Sequence, residues 1–266
     1  MSIIVSSGNR QTPNQYIIDV INAKRRQTSI TMRDYRIRGL ISDITSWAGR
    51  HYSDLFVSGS SAKGTALLGS SDLDLFLSLK PTIEGTLGEI FADFSDTLKR
   101  IGYDVRPQNV SVRLKHYGLQ IDVVPGKKLP NTQDWHFLYT NRRENQNRIQ
   151  TNVNRHITAV VNSGRVNEII SLKIWRDINK LDLPSMYLEM YILKVLARKW
   201  GGKGQLTDNF MFLLEEIARN FPNVAVYDPS SSTNTISHDL LKSEKQAIQR
   251  AAARTLEYRY LTDMIY

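Results

Sequence analysis

Apolar residues recur at helical spacing through QYIIDVINAKRR and again through DYRIRGLISDITSWAGRHY, so residues 13 to 50 read as helical. HYSDLFVSGS then runs as a short strand into a Gly/Ser turn, and DLDLFLSLK alternates as a strand that Pro81 ends. GEIFADFSDTLKRIG is an amphipathic helix with Gly102 as its stop. In NVSVRLKHYG, Val110, Val112 and Leu114 alternate with Ser111, Arg113 and Lys115; LQIDVVPG is a short apolar strand closed by Pro125. After about residue 130 the pattern turns mostly helical: RVNEIISLKIWRDINK, PSMYLEMYILKVLARKW, NFMFLLEEIARNF and SEKQAIQRAAARTLEYRYL, broken at GGKGQ and YDPSSSTN. Strands mixed with helices followed by helices alone predict an α+β sheet lobe over 1–150 and a helical lobe over 151–266.

Within DLDLFLSLK the period of two puts Asp72 and Asp74 on one face with Phe76 and Ser78, and Leu73, Leu75, Leu77 and Leu79 on the other, toward the core. Two neighbouring carboxylates resist simultaneous ionisation. A divalent cation removes that conflict, and Mg²⁺ takes carboxylate and phosphate oxygens. Asp122 interrupts the apolar LQIDVVPG and faces away from Ile121 and Val123; if the two strands are neighbours, three carboxylates converge. Such a cluster can hold two metal ions, one at an attacking hydroxyl and one at a triphosphate. Ahead of the pair, VSGSSAKGT supplies a turn in which Gly59 permits close backbone approach and the amides after it, with Ser60, favour an anion. Lys63 is nearby and could belong to this cradle or be only a solvated side chain. The spacing of a P-loop is missing.

The 266 residues are ample for a real core, and the 41% apolar and 23% charged content is that of a globular protein. With no cysteine, disulfides, thiolate zinc sites and cysteine nucleophiles are excluded. The five histidines (His51, His116, His136, His156 and His238) show no ligand spacing and read as structural or surface residues. No signal peptide and no membrane span are expected, which suits a cytoplasmic protein. The net charge of +9 suits an anionic partner. The aromatic and basic run DWHFLYTNRRENQNRIQ could meet an acceptor nucleotide or RNA, and equally reads as a solvated loop.

GSSAKGT, SDLDLFL and QIDVVP together resemble the nucleotidyltransferases of the DNA polymerase beta type. IISLKIWRD, LPSMYLEMYILKVLARKW and VYDPSSSTNTIS are similar to the helical region of 2′-5′-oligoadenylate synthases and bacterial cyclic-oligonucleotide synthases (CD-NTases), with class I CCA-adding enzymes more distant. The resemblance spans roughly residues 50 to 260. It implies nucleotidyl transfer from an NTP (ATP first), using two Mg²⁺ ions with Mn²⁺ as a substitute. The expected product is a cyclic or linear oligonucleotide messenger in bacterial antiphage signalling, with an RNA or protein activator among the partners. It carries Asp72, Asp74 and Asp122 over as metal ligands and Gly59 and Ser60 to the triphosphate. Lys173, Ser185 and Tyr187 go to the donor-nucleotide pocket. Lys173 also stands out on its own, since on a helix it falls among Val166, Ile169, Ile170 and Ile174; a lysine there must meet a partner or a cleft, or snorkel outward. Tyr187 could stack on a base or sit in the core, Ser185 could cap the helix after Pro184, and Asp228 reads as a turn residue before Pro229. The chain is shorter than most cyclic-oligonucleotide synthases and shows no tRNA-binding module, which favours small acceptors. An RNA-directed transferase of the CCA-adding or poly(A) type is the first alternative. A non-catalytic nucleotide- or RNA-binding module is the second.

Overall fold

The computed structural model describes residues 3–8, 10–26, 30–69, 72–141, 147–199 and 205–266. Part of the first helical stretch (27–29), Ser71 of the SDLDLFL motif, residues 142–146 of the aromatic and basic run and residues 201–204 of the GGKGQ break lie outside the described residues. In chain order the elements are α1 (Pro13–Lys24), α2 (Arg38–Ala48), β1 (Tyr52–Val57), α3 (Gly59–Lys63), β2 (Leu73–Leu79), α4 (Leu87–Ile101), β3 (Asp104–Pro107), β4 (Val112–His116), β5 (Leu119–Lys128), β6 (His136–Tyr139), β7 (Arg148–Thr151), α5 (Val153–Val161), α6 (Val166–Ile178), α7 (Ser185–Leu196), α8 (Leu206–Asn220), β8 (Tyr227–Asp228), β9 (Ser231–Thr235), α9 (Lys242–Thr255) and α10 (Leu261–Met264). Among the described residues no helix is long and apolar enough to cross a membrane.

The chain forms two compact units. One comprises Gln27–Gly64 and Ser70–Thr158; the other comprises Met1–Arg26, Thr65–Gly69 and Ala159–Tyr266. This differs from a single cut near residue 150. Ile17, Val20 and Ile21 of α1, and Leu67, share one apolar core with α6 to α9, so these early residues fold with the late ones.

The first unit is built on a sheet of order β1-β2-β5-β4-β3, with β6 pairing β5 and β7 pairing β6. Only β2 and β5 run parallel to one another; the other pairs are antiparallel. Leu73, Leu75, Leu77 and Leu79 are all buried, against Phe91, Phe94 and Leu98 of α4 and Leu40 and Ile44 of α2. A capping box starts α4: the Glu89 amide donates to the Thr86 hydroxyl at 3.2 Å and the Thr86 amide to the Glu89 carboxylate at 2.7 Å. Gly102, at φ 112°, stops it in the left-handed region. The opposite face is also partly covered: Phe76 packs on Phe56 and on His136, with ring centroids 5.4 and 4.9 Å apart.

Strand β5 runs past Pro125, where the sequence predicts its end. Residues 119–123 pair with β4 and 126–128 with β6, so Pro125 falls in the gap and its missing N–H breaks neither of these ladders. Strands β6 and β7 replace the loop expected around residues 136–151. The second unit packs α1 and α6–α9 around Trp175, Tyr187, Tyr191, Phe210 and Phe221, all fully buried.

Candidate active site

The sheet register decides which polar side chains meet. Asp74 pairs with Asp122 across the parallel β2/β5 ladder, and Arg113 pairs with Asp122 across the antiparallel β4/β5 ladder. The flanking Leu73, Leu75, Ile121, Val123, Val112 and Leu114 are buried at 0–1% exposure, so the alternation of each strand sends the charged residues to the other face. Asp72 lies one residue ahead of β2. Arg113 donates through Nε and Nη2 to the two oxygens of Asp122, at 2.8 and 2.7 Å. The same Nη2 donates to Asp72 Oδ2 at 3.1 Å, and Gln120 Nε2 reaches that oxygen at 2.6 Å. Two carboxylates therefore share one guanidinium, and Asp74 stands beside them across the β2/β5 ladder.

Asp74 carries the strain of that crowd. Burial first, then the charges of Asp122 and Asp72, push its carboxyl up to about 6, while the Ser60 amide and Lys63 pull the other way. Lys63 is buried, not solvated. The turn is built against this carboxylate. Gly59 sits at φ 58°, and a Cβ there would lie 1.8 Å from Asp74 Oδ2, so only glycine fits. The Ser58 amide donates to the Asp74 carbonyl at 2.8 Å and fixes the end of β1 to β2. The Gly/Ser turn thus holds an essential glycine, and the Ser60 amide is spent on Asp74.

Clustered carboxylate oxygens with excess negative charge fit a hard divalent ion such as Mg²⁺. Among the described residues, no three acidic or histidine side chains are already spaced around one ion, and Arg113 occupies both oxygens of Asp122.

The residues expected in a donor pocket fare differently. Lys173 is 2% exposed on α6, and its ammonium donates to Glu189 at 2.8 Å and to the Thr65 hydroxyl at 2.9 Å. It has found a partner, as a lysine in an apolar stripe must, but that partner is an internal carboxylate and not a phosphate. Tyr187 is fully buried and stacks on Phe221 at 5.3 Å, with Tyr191 against the same ring, so it is a core residue and not a platform for a base. Ser185 is the first residue of α7, which Pro184 caps without a side-chain bond, so Ser185 does not cap it; its hydroxyl accepts from Arg176 at 3.0 Å. Asp228 ends β8 just ahead of the turn at 229–230, and its buried carboxylate accepts from the Ser230 amide at 2.7 Å. His136 is structural: it bonds Ser78 at 2.8 Å and the Asp134 carbonyl at 3.1 Å.

Sequence reasoning missed Arg113 and Gln120. The signal for Arg113 was present, since it alternates with Val112 and Leu114 and so had to face away from the core. Its meeting with Asp122 depends on β4 lying beside β5, which periodicity alone does not give.

The fold of this chain is similar to that of solved CD-NTases. The Bradyrhizobium diazoefficiens CD-NTase CdnG in complex with GTP aligns with a TM-score of 0.72 at 12% identity, over 94% of this chain and 92% of that one. The Escherichia coli MS115-1 CdnC with ATP aligns at 0.68 and 18% identity, over 92% and 90%, and the same E. coli protein is also known in complex with HORMA-deltaN. The Elizabethkingia meningoseptica CdnE cyclic dinucleotide synthase with GTP and Apcpp aligns at 0.65 and 14%, over 93% and 100%. At these identities the likeness is one of fold. No family model and no curated protein matches the sequence.

Proposed function

We propose that the chain is a Mg²⁺-dependent, template-independent nucleotidyltransferase that joins NTPs into a cyclic or linear oligonucleotide. The observation that carries this reading is the cluster of Asp72, Asp74 and Asp122 built against the Gly59 turn. Asp72, Asp74 and Asp122 would hold the divalent ions, two on the polymerase beta pattern, with Mn²⁺ as a substitute. Such ions, when bound, lower the pKa of an acceptor hydroxyl and neutralise a triphosphate. Gly59 brings the main chain against the Asp74 carboxylate, and the Ser60 amide fixes that carboxylate's orientation. On the resemblance, Gly59 and Ser60 would also meet the triphosphate, which the Ser60 amide could do only by leaving Asp74.

ATP and GTP bound to the structural neighbours support NTPs as substrates, and the HORMA-deltaN complex of one supports a protein activator. A messenger in antiphage signalling is the role this resemblance suggests.

The test is purified protein with Mg²⁺ and four radiolabelled NTPs, without primer, beside an Asp72→Asn/Asp74→Asn variant. Phosphatase-resistant label made only by the wild type is the expected result. Phosphatase-sensitive linear oligomers would move the reading toward an oligoadenylate-type enzyme, and labelling of added RNA toward an RNA-directed one. Silence in every arm, with ATP binding retained, would leave a binding module.

A further inference from the structure

We propose that Arg113 is a built-in counter-ion for the carboxylate cluster: without a divalent ion its guanidinium holds Asp72 and Asp122 together, and loading the ion requires it to let go. This rests on the metal-site reading above. The guanidinium binds both oxygens of Asp122 and one of Asp72, carboxylates that would hold the ion. Its planar fork matches a carboxylate in two-point contact, which a lysine cannot copy. Arg113 and Lys63 are two positive charges against three carboxylates, so the cluster stays short of cation. The pressure falls on Asp74, whose charge repulsion with Asp122 and Asp72 has no direct contact from Arg113 to relieve it.

Release is cheap in structural terms. The Arg113 side chain is 34% exposed against 12% for that of Asp122, so the guanidinium has an open side while its partner does not. Arg113 belongs to β4, whose register with β5 is fixed by five residue pairs. Only the side chain has to turn; the strand stays. Gln120 remains behind on Asp72 and keeps that carboxylate oriented. Arg113 is thus a positioning residue that sets how tightly the cluster takes an ion.

Mn²⁺ binding to the full chain without nucleotide, followed by the EPR signal of the free ion, tests this on the wild type, Arg113→Gln, Arg113→Lys and Asp72→Asn/Asp74→Asn. Arg113→Gln should bind Mn²⁺ about tenfold more tightly than wild type, with Arg113→Lys between the two, and the double Asn variant should lose binding. In EDTA, Arg113→Gln should melt below wild type and recover when Mn²⁺ is added. Equal or weaker Mn²⁺ binding by Arg113→Gln overturns the proposal, because Arg113 would then support the ligands and not compete for them. A variant that stays unfolded at saturating Mn²⁺ overturns it too. The expected Mn²⁺ shifts without any nucleotide incorporation would sink the transferase reading alone. No Mn²⁺ binding by wild type or Arg113→Gln would sink both.

Discussion

Two charged clusters in this chain solve opposite problems. Around Lys173, one ammonium meets one carboxylate, Glu189, at 2.8 Å, with both side chains 3% exposed or less and the Thr65 hydroxyl filling in at 2.9 Å. Around Arg113, one guanidinium bonds Asp122 and Asp72, with Asp74 crowded beside them and Lys63 acting on it, and the cluster reaches solvent through Arg113 and Asp72. The first cluster is buried and closed and pairs its charges directly, tying α6 to α7. The second has more carboxylates than cations and opens to solvent on one side, and such a cluster is a place for a ligand. A charge in an apolar stretch of sequence therefore says that a partner exists, and only the count of charges around it says whether that partner is internal.

The largest expected effect belongs to the closed cluster. Lys173→Met leaves Glu189 buried without its cation and should cost about 3–5 kcal/mol in urea unfolding. The Lys173→Met/Glu189→Leu pair should recover most of that. Equal losses in single and double variants would show that the two residues act independently. At the open cluster the sign is reversed. Asp74→Asn should lower nucleotide incorporation about a thousandfold, several kcal/mol of transition-state stabilisation, while leaving thermal stability unchanged or higher, because one charge leaves a crowd. An Asp74→Asn protein that is both inactive and unstable would contradict the reading of Asp74 as a crowded, only partly compensated charge.

The pH dependence separates the clusters further. Asp74 titrates near 6 when folded, against an ordinary value of 3.8, because it is buried and repelled by Asp122 and Asp72. Between those two values the folded protein keeps a proton that the unfolded chain has lost. Stability measured in EDTA should then fall as pH rises from about 4 to about 6, by at most about 3 kcal/mol, and level off above. A divalent ion favours the ionised carboxylate, so stabilisation by Mg²⁺ should grow through the same window. Asp74→Asn should flatten both curves. A slope that survives this substitution belongs to another group.

Much of this site was legible before any coordinates. Asp72, Asp74 and Asp122 stood out because each interrupts or precedes an apolar strand, and period-two alternation fixed the faces of the two strands. Gly59 was legible as a close-approach position, though not the fact that Asp74 is what approaches it. Arg113 was not, since a basic residue on an alternating strand looks the same whether it meets water or Asp122; strand order decides, and strand order is a long-range property. The short β6 and β7 failed for a related reason. His136 and Leu138 are buried, but the polar run around them gives no alternation strong enough to outweigh a loop. In the helical unit the sequence marked Lys173 as a charge inside an apolar helix, and Tyr187 was singled out only through the resemblance; neither signal could tell a core contact from a pocket. Helix periodicity reports burial, and both outcomes bury the residue.

Ser185 gives the smallest effect and the finest test. Its hydroxyl accepts one bond from Arg176 Nη1 at 3.0 Å, and Arg176 keeps the Leu183 carbonyl at 3.1 Å and Asp177 at 2.8 Å when that bond is lost. Ser185→Ala should therefore cost no more than about 1 kcal/mol of stability. Because the hydroxyl is engaged with Arg176, the KM for NTP should stay at the wild-type value. A stability loss of that size with KM unmoved would place Ser185 with Lys173 in the closed class. A KM rise of tenfold with stability intact would mean that the hydroxyl leaves Arg176 for a phosphate when nucleotide binds, and that the helical unit carries an open cluster of its own.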